Sequence, residues 1–219
     1  MGARTRVARW TAVPSESAPQ PLLAEGAFPI RASAPVKRDL AVLFVDMVEF
    51  TPLLRRSEPE AVLALVQTFM RCVSEIAQLY CGDVRDFEGD GALLYFSSPA
   101  EALPAAFDLR RRLADLRKQI VEMPAARISV DYGPLVIGPL DGERRTLAFI
   151  GTAVNTAARL LKHAEPGGII VTESVLRHAV LHLPALAKKL LPMPEPIALR
   201  GFDEPTLAHH TSDTGAALA

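Results

Sequence analysis

An α+β fold, with helices laid against a mostly antiparallel sheet, follows from three features of the chain. One is a near-continuous apolar run from Leu40 to Val45. Another is a pair of apolar segments flanking Gly89-Asp90-Gly91. The third is the alternation of such strand signals with two long segments whose apolar residues recur every three to four positions. The resulting order, β-α-β-β-α-β, packs as helices over one face of a sheet.

Residues 40–45 read as a strand buried on both faces, since nothing polar interrupts them before Asp46. Ser57 and Glu60 have capping-box spacing with Pro59 between them, and start a helix running to about Tyr80. Val62, Leu65, Val66, Phe69, Val73 and Ile76 lie along its apolar side, and Cys81-Gly82-Asp83 ends it. Val84–Glu88 and Ala92–Phe96 then form a β-hairpin. A second helix spans Pro99 to Val121, with Leu109, Leu113 and Leu116 on one side. Arg110, Arg111 and Arg112 spread around that helix and read as a solvated face. Ile128–Tyr132 and Leu135–Ile137 read as a strand pair turned through Gly133-Pro134, and Thr146–Ile150 as a further strand. Ala153–His163 is expected as a short helix, Ile169–Thr172 as a strand, and Glu173–Ala179 as a helix. Residues 184–196 hold four prolines and read as a loop, after which Ile197–Arg200 and Thr206–His209 close the sheet. The whole is a ferredoxin-like βαββαβ core.

Domain boundaries follow composition. Residues 1–37 are rich in Ala, Pro, Ser and Arg and read as a flexible tail, 38–212 as one domain, and 213–219 as a disordered C-terminus. The chain has 219 residues, 49% of them hydrophobic, which is enough for a sizeable core. A formal net charge of −1 gives no bulk attraction to nucleic acid or membrane, so neither is expected as a partner. No stretch approaches the roughly 20 apolar residues of a membrane helix. Cys72 and Cys81 make neither a metal pattern nor a disulfide framework, and a cytoplasmic location with reduced thiols is expected.

Two carboxylates stand out. Asp46 ends the buried strand and Asp90 sits at the hairpin tip. In a split βαβ arrangement the first strand lies beside that hairpin, so the two can meet at one end of the sheet. Paired carboxylates repel unless something positive lies between them, and hard divalent cations are the natural partner. From spacing alone, an ordinary turn aspartate and a helix cap are the favoured explanation of the pair.

The surrounding motifs extend this. Leu43-Phe44-Val45-Asp46-Met47-Val48-Glu49-Phe50-Thr51 resembles the first metal motif of class III adenylate and guanylate cyclases. Phe87-Glu88-Gly89-Asp90 resembles the second, and Ile150 to Leu160 the motif carrying the transition-state residues. Glu165 to Thr172 is similar to the strand that follows, and Leu199-Arg200-Gly201-Phe202 to the closing motif. The resemblance covers residues 38–210, with five motifs in the family's order.

It implies a nucleotidyl cyclase that converts a nucleoside triphosphate to a 3′,5′-cyclic monophosphate and pyrophosphate. Asp46 and Asp90, with the Met47 carbonyl, would hold two divalent ions, Mg²⁺ or Mn²⁺. The backbone of Val48, Glu49, Phe50 and Thr51 would line the phosphates, with Arg200 as a further contact. Asn155 would orient the ribose and Arg159 would stabilise charge on the transition state; their spacing of four puts them on one helix face. The family assembles as head-to-tail homodimers whose shared sites join the aspartates of one chain to the Asn and Arg of the other.

Base choice departs from the adenylate pattern. Asp86 and Ala148 stand where the resemblance has a Lys and an Asp or Thr. An ionised Asp86 only accepts hydrogen bonds, and Ala148 makes none. Arg85 is expected on the opposite face by strand alternation. Glu49 replaces a usual Gly, and Thr152 a usual Asp. The base is therefore expected not to be adenine. Pyrimidine triphosphates rank slightly ahead of GTP, by a further resemblance to stand-alone bacterial cyclases that make cyclic CMP or UMP in antiphage defence. The alternatives are a guanylate cyclase, or a catalytically degenerate cyclase fold serving as a dimerisation or nucleotide-sensing module.

Overall fold

The computed structural model describes residues 35–140 and 146–211. The expected tail lies outside these residues as far as residue 34, and the expected C-terminal disorder over 213–219 lies outside them entirely.

The chain enters through β1 (Val36–Met47), followed by α1 (Phe50–Arg56) and α2 (Pro59–Leu79). The hairpin β2 (Asp83–Glu88) and β3 (Gly91–Phe96) leads into α3 (Pro99–Gln119). Then come β4 (Ala126–Leu140), β5 (Thr146–Ile150) and α4 (Thr152–Leu160), which tightens into a 3₁₀ turn over Leu161–His163. The remainder is β6 (Ile169–Thr172), α5 (Glu173–His182), α6 (Pro184–Ala187), β7 (Leu190–Pro192) and β8 (Ala208–Thr211). One eight-stranded sheet runs β2-β3-β1-β4-β6-β8-β7, with β5 paired to β4. Every pairing is antiparallel except β4 with β6. This is the expected α+β class.

Period-two alternation splits β1 between two cores. Ala41, Leu43, Val45 and Met47 pack with Phe69, Val73 and Ile76 of α2, Leu103 and Leu109 of α3, and Val175 of α5. Leu40 and Val42 point the other way, toward Tyr95, Leu135, Ala153 and Ala157. Helices therefore cover both faces: α2, α3 and α5 one, α4 part of the other. The expectation of helices on a single face is corrected on this point. α2 is long and apolar enough to span a membrane by length and composition, which the sequence reading overlooked. Its buried stripe from Val62 to Ala77 faces α3 and the sheet, as in an amphipathic core helix.

Other expectations change in detail. β1 starts at Val36 because β4 pairs with it along its whole length, from Val36 opposite Ile137 to Met47 opposite Ala126. Gly133-Pro134 makes no turn: β4 runs straight through, with Pro134 opposite Asp39. β6 pairs only with Ile128–Val130 and β5 only with Val136–Leu140, so Pro134 lies where β4 is paired on one side only and a missing N–H is tolerated. The Ser57–Glu60 capping box does not form; Glu58 is the N-cap and makes no side-chain bond there. A capping box does form at Ser98 and Glu101, ahead of α3. The proline-rich stretch 184–196 holds α6 and β7 rather than loop alone, and Ile197 bridges Thr206 without forming a strand. Arg110 is not simply solvated: its Nε donates to the Gly167 carbonyl at 2.7 Å, tying α3 to the turn before β6.

Candidate active site

Asp46 continues the row of Leu40 and Val42, so it faces the α4 side at the end of β1. Register puts it opposite Gly91, and the Met47 N–H donates to the Asp90 carbonyl at 3.0 Å. The two aspartates therefore meet at one end of the sheet, as the topology argument anticipated. Burial, and then the charge of Asp90, push the Asp46 carboxyl above its ordinary range. Arg127, opposite Asp46 on β4, opposes that shift with Nη2 3.3 Å from Asp46 Oδ2. Among the described residues the buried Arg127 Nε has no hydrogen-bond partner. Sequence reasoning missed Arg127, which is visible only once β1 and β4 are in register.

These groups fit a hard divalent cation. Two carboxylates gather at one point, and the pair still carries uncompensated negative charge beside Arg127. Among the described residues no three His, Cys, Asp or Glu side chains converge on a metal position. A site with few protein ligands is the habit of Mg²⁺, which completes its shell from water and substrate phosphates. The Met47 side chain is buried in the core and its N–H is taken, so only its carbonyl is left as a ligand.

The expected phosphate segment is partly committed. The Val48 N–H donates to the Ala125 carbonyl at 2.7 Å, so it is not available for the expected phosphate contact. Glu49 is the N-cap of α1 with φ 58, the left-handed conformation that the family's Gly would adopt freely. The substitution keeps the backbone shape at a cost of about 1–2 kcal/mol.

Asn155 is exposed on α4, and Arg159 one turn on is half-buried. Gly151, before the helix, lets it seat closely: a side chain there would meet the Leu135 side chain and the Pro134 carbonyl at 2.5 Å. The Ser129 hydroxyl donates to the Ala157 carbonyl at 2.7 Å and fixes the middle of α4 on β4. Among the described residues, no hydrogen bond or ion pair joins Asn155 or Arg159 to Asp46 or Asp90. Arg200 is exposed in the turn after Leu199.

The base positions hold a correction. Asp86 pairs with Leu93 and Val84 with Leu94, so β2 bulges at Arg85. The bulge breaks alternation and leaves Arg85 and Asp86 on the same side of the sheet. There the Arg85 guanidinium lies 5.4 Å from the Phe149 ring centroid and donates to the Leu147 carbonyl. Phe149 stacks on Tyr95 with centroids 4.3 Å apart. Arg85 thus spans from β2 to the residues flanking Ala148. Asp86 is exposed, and its Oδ1 accepts the Phe87 N–H at 3.0 Å. A cavity of about 720 Å³ lies elsewhere, between α3, α6 and the start of β4, and holds none of the predicted site residues.

Fold and site together define a nucleotidyl cyclase architecture: two carboxylates at a sheet end beside an antiparallel hairpin, with an Asn–Arg helix on the open face. Residues 33–189 match the adenylate and guanylate cyclase catalytic domain model, well over half of the chain. The chain belongs to that family. An uncharacterised protein of Mycobacterium tuberculosis is 30% identical over 174 residues, covering 78% of this chain and 40% of that protein. A second from the same species is 31% identical over 178 residues, covering 77% and 32%. The chain thus spans well under half the length of these relatives. Among solved structures, the adenylyl cyclase CyaB from P. aeruginosa superposes with a TM-score of 0.73 at 23% identity, covering 85% of this chain and 100% of that one. The guanylyl cyclase Cya2 superposes at 0.71 with 18% identity, covering 84% and 96%.

Proposed function

We propose that this chain cyclises a nucleoside triphosphate whose base is not adenine, releasing pyrophosphate. The 3′-oxygen of the ribose bonds to the α-phosphorus, the bond from that phosphorus to the α–β bridging oxygen breaks so that the oxygen leaves with pyrophosphate, and the 3′-proton passes to water. Asp46 and Asp90, with the Met47 carbonyl, would hold the metal ions. Those ions, Mg²⁺ or Mn²⁺, supply acidity to the 3′-hydroxyl and neutralise the phosphates. Glu49 to Thr51 and Arg200 hold the triphosphate, Asn155 orients the ribose, and Arg159 meets the charge that builds on the α-phosphate. Asn155 and Arg159 would act on a nucleotide held by the aspartates of a second copy, in a head-to-tail homodimer.

The meeting of Asp46 with Asp90 carries this reading. The base assignment rests on Arg85 and Asp86, which offer a donor and an acceptor side by side. Adenine alone among the four bases has no carbonyl oxygen for a guanidinium to grasp. Arg85 also fills space between β2 and β5, which favours a one-ring base. CTP or UTP therefore rank ahead of GTP, and a cytoplasmic signalling role in antiphage defence is part of the proposal. One observation favours a second reading, a degenerate nucleotide-sensing module: Arg127 already contacts Asp46.

The test is incubation with each of the four triphosphates and Mn²⁺, scoring cyclic nucleotide and pyrophosphate, for the native chain and for Asp46→Ala and Asp90→Ala. Turnover of a non-adenine triphosphate is expected, lost in both variants while their circular dichroism stays native. Near-native turnover in either variant would refute the two-metal assignment. Absence of turnover with all four leaves the sensing reading.

A further inference from the structure

We propose that Gly201 and Phe202 are positioning residues for Arg159, holding its guanidinium in one plane and one direction without neutralising it. The inference rests on the cyclase reading above, which gives Arg159 its task, but the geometry stands independently. The Arg159 Cζ lies 5.1 Å from the Phe202 ring centroid. Gly201 closes in from the backbone: a side chain there would meet Arg159 Nη1 at 3.4 Å and Nη2 at 3.7 Å. Gly201 has φ 78, a conformation glycine adopts without strain.

The turn that presents these two residues is built in. The Phe202 N–H donates to the Leu199 carbonyl at 3.1 Å, closing a turn with Arg200 and Gly201 at its centre. Leu199 is buried with Leu160 of α4, the residue after Arg159. Phe202 packs against the same cluster. Below the turn, Ile197 and Thr206 exchange two backbone bonds of 2.8 Å each. Helix and turn thus share one small core, and the guanidinium sits against its surface.

The choice of an aromatic face has a chemical consequence. Among the described residues, no carboxylate forms an ion pair with Arg159. A carboxylate would fix the side chain and also spend its charge, competing with the phosphate. A ring fixes the plane through stacking and leaves the N–H groups and the positive charge directed at a ligand. Arg200 lies in the same turn, so the device also sets the spacing between two cations that would meet one triphosphate.

The test uses the full chain with Phe202→Leu, Phe202→Tyr and Gly201→Ala, and two readouts. In steady-state kinetics, Phe202→Leu should lower kcat on the order of 10²-fold, the scale of a 1 Å misplacement, with KM held within about twofold. Phe202→Tyr keeps the ring and should restore kcat to within about threefold of native. Gly201→Ala places a methyl in van der Waals contact with Nη1 and strains a turn held at φ 78, and should lower kcat in the same sense. In NMR, the Arg159 Nε–Hε resonance, assigned by its loss in Arg159→Lys, should move toward a free-arginine position in Phe202→Leu and stay in Phe202→Tyr. A merely structural role would lower thermal stability and leave that resonance in place. Native kcat in Phe202→Leu, or an unmoved resonance, overturns the proposal. Should Phe202→Leu not fold, Gly201→Ala decides by the same criteria. Should the native chain cyclise no triphosphate, the cyclase reading falls, and the resonance alone decides the positioning.

Discussion

Arg85 shows how one residue redirects a specificity argument. Period-two alternation puts it away from Asp86; the β2 bulge puts it alongside. Arg85 is half-buried and Asp86 exposed, so the pair discriminates only once a bound base covers it; a ligand that then leaves one member unpaired loses about 1–3 kcal/mol, or one to two decades. Asp86→Ala should therefore lower kcat/KM on the best substrate by roughly that factor and on ATP by less, compressing the preference. Arg85→Ala should compress it further, because it also frees Phe149 and the Leu147 carbonyl. Rates with all four triphosphates decide: ATP as the best substrate, or an unchanged order in both variants, defeats the base assignment. The meeting of Asp46 with Asp90 was anticipated from the expected strand order and the Asn155–Arg159 spacing from helix periodicity, while the roles given to these residues came from the motif resemblance alone. The contacts of Arg85 and Arg127 were not legible, because each acts across strands and register is invisible in a linear sequence.

The elements were legible to unequal depth for a related reason. α2 and α3 announce themselves through apolar residues every three to four positions, a signal that burial against a sheet enforces. β4 concealed itself because Gly133-Pro134 looks like a turn, and only a partner along its whole length shows that the strand continues. The side taken by α4 was equally hidden, since its small residues Ala153, Ala157 and Ala158 suit either face of a sheet. Gly151 decides that seating. Its φ is extended, so strain is not at issue; space is, with Leu135 Cδ2 and the Pro134 carbonyl both 2.5 Å from where a Cβ would stand. Gly151→Ala should cost about 1–3 kcal/mol as an overpacked contact. It should also lift α4 and displace Asn155 and Arg159, so turnover should fall more than stability accounts for. Gly133→Ala is the control, since its Cβ would stand an ordinary 3.7 Å from Ala153. Thermal melts beside turnover assays test this, and a native melting temperature with native turnover in Gly151→Ala contradicts it.

At the scale of the molecule, three helices cover one face of the sheet, and the other is left partly open around α4 and the β4–β5 hairpin. Val136 and Ile150 stand opposite one another in that hairpin, 45% and 68% exposed. Apolar side chains adjacent on a strand pair, next to the base positions, suit cover by a second copy. Every predicted site residue is present on one chain, while among the described residues no hydrogen bond or ion pair joins the aspartates to Asn155 or Arg159. A two-fold arrangement that sets the aspartates of one copy against α4 of the other gives two equivalent sites. The decisive experiment mixes two dead variants, Asp46→Ala and Arg159→Ala. In their heterodimer one site takes its aspartates from the Arg159→Ala chain and its Asn and Arg from the Asp46→Ala chain, and carries neither defect. The other site carries both. With free subunit exchange at equal amounts, half the dimers are mixed and each holds one good site, so roughly a quarter of native activity should return. Sites contained within single chains would give none, however many heterodimers form. Silence from a mixture whose heterodimers are verified by native mass spectrometry therefore removes the shared site, whereas recovery near a quarter establishes it and fixes which chain supplies which half.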